Sequence, residues 1–71
     1  MGFLRRQEER LAERFLVWHY QRTNRAVPAP SLLQSQAAKI VDDAHHIARE
    51  TGGNVMSIIK ELIDDLKKSG Q

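Results

Sequence analysis

Cysteine is absent from this 71-residue chain, and proline (two residues), glycine (four) and aromatic side chains (two Phe, one Tyr, one Trp) are all scarce. Without cysteine there is no disulfide framework, no thiolate nucleophile and no cysteine-ligated metal, and a cytoplasmic or otherwise reducing compartment is expected. The few prolines and glycines leave long uninterrupted stretches for regular structure. No apolar run approaches the roughly twenty residues of a spanning helix. The start Met1-Gly2-Phe3-Leu4-Arg5-Arg6 is too short in apolar residues for a signal peptide and lacks the Ser or Thr at position 6 of a myristoylation pattern, so no membrane association is expected. Also missing are G-x-x-x-x-G-K-[ST] and G-x-S-x-G, the signatures of phosphate cradling and of a serine nucleophile on a tight turn.

What is present suits a small folded unit. Eighteen residues are Leu, Ile, Val or Phe, about a quarter of the chain, above the roughly one-fifth below which disorder is favoured. One domain spanning residues 1–71 is expected, near the lower size at which a single apolar core suffices. Net charge is only +2, but residues 1–30 hold six Arg against three Glu, while residues 31–71 hold five basic and six acidic side chains. Arg and Glu alternate at helical spacing in the first part, as on a solvated face.

The pattern predicts an all-α fold of three helices, at about 3–25, 31–51 and 54–69, with helices 2 and 3 forming a helical hairpin packed on a long N-terminal helix. The first, about 35 Å long, is rich in strong helix formers and has Arg5/Glu9 and Arg10/Glu13 at supportive spacings. Its apolar residues begin sparsely at Phe3, Leu4 and Leu11, then crowd into Phe15, Leu16, Val17 and Trp18, followed by His19 and Tyr20. Val27-Pro28-Ala29-Pro30 ends it, because proline removes a donor and restrains the residue before it. Ser31-Leu32-Leu33-Gln34 has capping-box spacing. Leu33, Ala37, Ile40, Ala44, Ile47 and Thr51 then recur in alternating steps of four and three, widened at one edge by Val41 and Ala48. Gly52-Gly53 stops the second helix and Asn54 caps the third. Val55, Ile58, Ile59, Leu62 and Leu66 form the third helix's apolar face, flanked by Met56 and Ile63. Lys67 and Lys68 suit its C-terminal end, and Ser69-Gly70-Gln71 should fray.

Side chains with reactive chemistry do not converge in this reading. His45 and His46 are about 100° apart on a helix and cannot aim at one ion. An Asp42/His46 pair at i, i+4 reads as a surface hydrogen bond. The doublets Asp42-Asp43 and Asp64-Asp65 look solvated, and a chain this short has little room for a water-excluding cleft. No catalytic residue, metal ligand, cofactor or small-molecule substrate is expected, and the chain reads as a non-enzyme. Gly52-Gly53 follows a helix rather than a strand, so it is a C-cap, not a phosphate cradle.

The segment Ile47-Ala48-Arg49-Glu50-Thr51-Gly52-Gly53-Asn54-Val55-Met56-Ser57-Ile58 resembles the helix-turn-helix of bacterial repressors. Ala48 and Gly52 match its inter-helix contact and turn, Ile47 and Ile58 its core positions, and Ser57 the start of its reading helix. The resemblance implies a DNA-binding regulator using residues 44–63, with Arg49, Asn54, Ser57 and Lys60 as contacts. It departs from the pattern at Gly53 and Glu61, and Glu61, Asp64 and Asp65 would meet phosphate with repulsion. The Arg-rich first helix, with Trp18 and Tyr20 able to stack on bases, is a second route to nucleic acid.

The leading expectation is a homo-oligomeric protein-protein interaction module, an accessory or regulatory subunit. A helix apolar around its circumference needs more cover than two short helices supply. The cover would be a second copy, in a homodimeric four- or six-helix bundle, or a larger protein partner. Leu11, Phe15, Leu16, Trp18, His19 and Tyr20 are the expected oligomer interface.

Overall fold

The computed structural model describes residues 2–69, with side chains from residue 4 to residue 66. The expectations placed on the Phe3, Lys67 and Lys68 side chains and on fraying through Gly70 and Gln71 lie outside them. Three α-helices follow one another, α1 (Gly2–Arg22), α2 (Pro30–Thr51) and α3 (Val55–Ser69), each packed against the other two, and there is no strand among the described residues. The Cα envelope measures 33 × 25 × 14 Å, thin in one direction.

The helix ends follow local chemistry, and two differ from the sequence reading. α1 stops at Arg22 rather than near residue 25 because Asn24 takes a left-handed conformation (φ 59°). The Arg25 N–H then bonds the Tyr20 carbonyl at 2.9 Å and the Asn24 N–H that of Gln21 at 3.2 Å. These are the paired bonds of a Schellman cap, with asparagine in the place glycine usually takes. Thr23 adds its hydroxyl to the His19 carbonyl at 2.9 Å, so the helix is closed before the prolines are reached. α2 begins at Pro30, one residue earlier than expected, with Ala29 as N-cap and no side-chain cap bond. Ser31 is therefore inside the first turn and forms no capping box. Pro30 starts the helix instead, with φ preset and no N–H to satisfy.

The α2–α3 turn follows the sequence reading. Gly52 is left-handed (φ 71°) and its N–H reaches the Ala48 carbonyl at 2.7 Å. Asn54 Oδ1 accepts the Ser57 N–H at 3.2 Å and so caps α3.

The core is assembled from Ala12 and Leu16 of α1, Leu33, Ala37, Val41 and Ala44 of α2, and Ile58, Ile59 and Ile63 of α3. The alanines let helix backbones approach, while Leu16, Val41 and Ile59 are the largest fully enclosed side chains. The stripes are rotated slightly from those read in sequence. Val41 and Ile63, taken as edges, are central, whereas Thr51 is exposed and Leu66 reaches the surface. Thr51 instead turns its hydroxyl back onto the Ile47 carbonyl, 2.8 Å away.

Polar side chains fasten α1 to α2 at both ends. Near the start of α1, Arg5 pairs with Asp42 at 2.7 Å while also holding Glu9 at 2.9 Å, and Glu8 meets His45 at 2.7 Å. Near its end, the Tyr20 hydroxyl bonds Gln36 at 3.3 Å. Hydrogen bonds from Arg5 first to Glu9 and then to Asp42 raise the guanidinium pKa above its ordinary value.

Candidate interaction surface

α1 carries two apolar stripes rather than one. Ala12, Leu16 and His19 point into the molecule. Trp18 lies two residues from Leu16, about 200° around the helix, and is 56% exposed. Leu4 and Leu11, also exposed, precede Trp18 at successive intervals of seven residues. Seven residues come within about 20° of two full turns, so the three side chains form one line along the outer face. That spacing is the one by which helices in coiled coils meet a neighbour.

At its C-terminal end this line borders a groove of about 600 Å³ between α1 and α3. Phe15 and Trp18 form one wall and Ile63 part of the other, while Arg14, Lys60, Glu61 and Asp64 stand around them. The Lys60 ammonium lies over the Phe15 ring, 5.6 Å from its centre, and the Arg22 guanidinium covers Trp18 at 4.8 Å. Both contacts hold a cation on an aromatic face and keep the apolar surface hydrated at its edge.

The six residues expected at an oligomer interface therefore divide. Leu11, Phe15 and Trp18 lie on or beside the outer line. Leu16 (0% exposed) and His19 (6%) are enclosed by this chain's own helices, so they are corrected from interface to core. Tyr20 is half-buried and occupied by Gln36. Among the described residues, buried His19 Nε2 has no hydrogen-bond partner. Four residues not expected at the interface, Arg14, Lys60, Glu61 and Asp64, line the same groove, while exposed Leu4 stands at the start of α1 beside Asp42, His45 and Arg49 of α2. Leu4 was recoverable from its seven-residue spacing to Leu11, whereas nothing in the sequence set Arg14 beside Asp64.

Arg49, Asn54, Ser57 and Lys60 are all exposed. Asn54 is engaged in capping Ser57 and Lys60 stacks on Phe15, and the outer side of α3 adds exposed Glu61, Asp64 and Asp65. Among the described side chains that side presents more negative than positive charge, opposite to what a phosphate backbone attracts.

Elsewhere, Asp42 joins Arg5 rather than His46, and His45 is paired with Glu8. Among the described residues no three His, Asp or Glu side chains converge as metal ligands, and no helix is long and apolar enough to cross a membrane. The arrangement can bind another surface through apolar contact with charged edges. The chain matches no family model, and no curated protein or solved structure was found to be similar to it.

Proposed function

We propose that this chain is a helical protein-protein interaction module that works as a homodimer, an accessory or regulatory subunit that binds rather than catalyses. The observation that carries this reading is Trp18, 56% exposed at the end of the Leu4/Leu11/Trp18 line and beside the α1–α3 groove. Large aromatics with this exposure are characteristic of association surfaces, where they bury the most area per side chain.

A second copy is the favoured occupant because the face is self-complementary in charge. Arg14 and Lys60 stand against Glu61 and Asp64 around one groove. In a two-fold dimer the same patch meets itself, so a patch of one sign would repel its copy and a patch of both signs can be matched. The thin molecule also has a broad face on which a second three-helix layer can lie, giving a six-helix assembly. Without cysteine, such a module suits the cytoplasm as well as any other compartment.

The test is mass against concentration, by sedimentation equilibrium or light scattering. Trp18 is the only tryptophan, so its emission reports directly on this surface. The expected result is a mass of twice 8.1 kDa at micromolar concentration. Tryptophan emission should shift to the red and the thermal midpoint should fall on dilution by about a hundredfold. A mass of 8.1 kDa throughout, with a midpoint independent of concentration, would overturn the reading.

A further inference from the structure

The charges on the two walls of the groove specify how two copies meet. Arg10 and Arg14 are exposed one turn apart on α1, and Glu61 and Asp64 are exposed one turn apart on α3. Arg14, Glu61 and Asp64 line the same groove, yet none of the three has a salt-bridge partner within the described residues. Of the remaining cations there, Lys60 is over Phe15 and Arg22 is over Trp18. The groove thus has unpaired Arg14 on its α1 edge and unpaired Glu61 and Asp64 on its α3 edge, where Lys60 is turned onto Phe15, flanking an apolar floor.

Two symmetric arrangements would cover the exposed line on α1. A two-fold axis across the groove sets α1 antiparallel on the partner's α1, bringing Arg10 and Arg14 against the same arginines. An axis along the groove exchanges its walls, so that each α1 lies over the partner's α3. Residues 14–19 of α1 are level with residues 60–64 of α3, because both line one groove. The second operation leaves that level unchanged, so Arg14 arrives opposite the partner's Glu61 and Asp64, and Trp18 opposite the partner's Ile63. The first arrangement crowds like charges and the second neutralises them.

Building on the homodimer reading, we infer that each copy's α1 docks over the other's α3, with Trp18 seated in the partner's groove and Arg14 paired with the partner's Glu61 and Asp64. The interface would consist of α1 and α3 from both copies, with the two α2 helices outside.

Charge reversal separates this geometry from dimerisation as such. Arg14→Glu and Asp64→Arg should each weaken self-association by about tenfold, since each sets like charges together at two symmetric places. Mixing the two variants should restore binding as a heterodimer. At one of its two symmetric places the reversed charges at positions 14 and 64 attract each other, and at the other the unaltered Arg14 and Asp64 meet. Both positions are exposed, so helicity by circular dichroism should match that of the unaltered chain and confirm that folding is intact. If the unaltered chain is monomeric, the dimer reading and this geometry fall together. If it dimerises but Arg14→Glu leaves affinity unchanged or tightens it, or mixing restores nothing, only the α1-over-α3 geometry is overturned.

Discussion

Glu8 and His45, separated by 37 residues in sequence, meet at 2.7 Å and tie the start of α1 to the second half of α2. Arg5 and Asp42 form a second tie one turn away, at 2.7 Å. The adjoining Leu4 on α1 is 67% exposed, so among the described side chains the contacts at this end of the helix are largely charged. Both ties are partly hydrated, which limits their worth.

Glu8→Ala should therefore cost only about 0.5–1 kcal/mol in global stability by urea denaturation. The local effect should be larger. Hydrogen exchange in the first two turns of α1 should accelerate while the core amides around Leu16 and Ile59 are nearly unaffected. Uniform acceleration across all three helices would show that the tie supports the whole fold.

The two adjacent glycines should behave differently. A Cβ at Gly52 would meet no atom within 4 Å, yet its φ of 71° is one that alanine adopts poorly. Gly52→Ala should thus cost about 1 kcal/mol through the backbone alone. At Gly53 the added carbon would lie 3.2 Å from Thr51 Oγ1, which is held by its bond to the Ile47 carbonyl, and 3.3 Å from Ile58 Cδ1, so each neighbour must give by a few tenths of an ångström, but the backbone there needs no positive φ. Gly53→Ala should be the milder change, and thermal unfolding of the two variants would rank them.

Folding and association should come apart at Leu16 and Trp18. Leu16 is fully enclosed, so Leu16→Ala should cost about 2–5 kcal/mol in transfer and cavity energy. Trp18→Ala removes a larger side chain that is 56% exposed, and should cost under about 1 kcal/mol in the monomer while abolishing the concentration dependence of the thermal midpoint. Denaturation curves at two protein concentrations measure both effects together. A Trp18→Ala loss as large as that of Leu16→Ala would place Trp18 in the monomer core.

The same pair shows what sequence could and could not tell. Helix existence, the α2–α3 turn and most of the core were legible, because Gly52, Asn54 and the spacing of Leu33, Ala37 and Ala44 act through local geometry. The end of α1 was less legible. Pro28 and Pro30 are the stronger helix breakers, but Asn24 lies upstream of both and its ability to take positive φ ends the helix first. Sequence marked Phe15 to Tyr20 as having too much apolar surface, but not which residues would be used internally. That assignment depends on where α2 and α3 lie, and it buries Leu16 and His19 while leaving Trp18 outside. The groove's charged edges were invisible for the same reason, since Arg14 and Asp64 are brought together only by packing.

His19 supplies the last prediction. Its ring is buried at 6% exposure, meets the Tyr20 ring edge-to-face at 6.2 Å between centroids, and among the described residues its Nε2 has no hydrogen-bond partner. A desolvated polar atom without a partner costs about 1–3 kcal/mol relative to one that is satisfied. Leucine is close to histidine in volume and has no such atom, so His19→Leu should raise stability by about 1 kcal/mol once imperfect packing is set against the gain. His19 lines the α1–α3 groove with only its 6% exposed edge, so the substitution should change the monomer–dimer equilibrium far less than Trp18→Ala. Urea denaturation at fixed protein concentration measures the first effect and sedimentation equilibrium the second. A loss of stability would show that Nε2 is satisfied in solution, by a buried water held beneath the groove, and would make His19 a structural hydrogen-bonding residue rather than an uncompensated one.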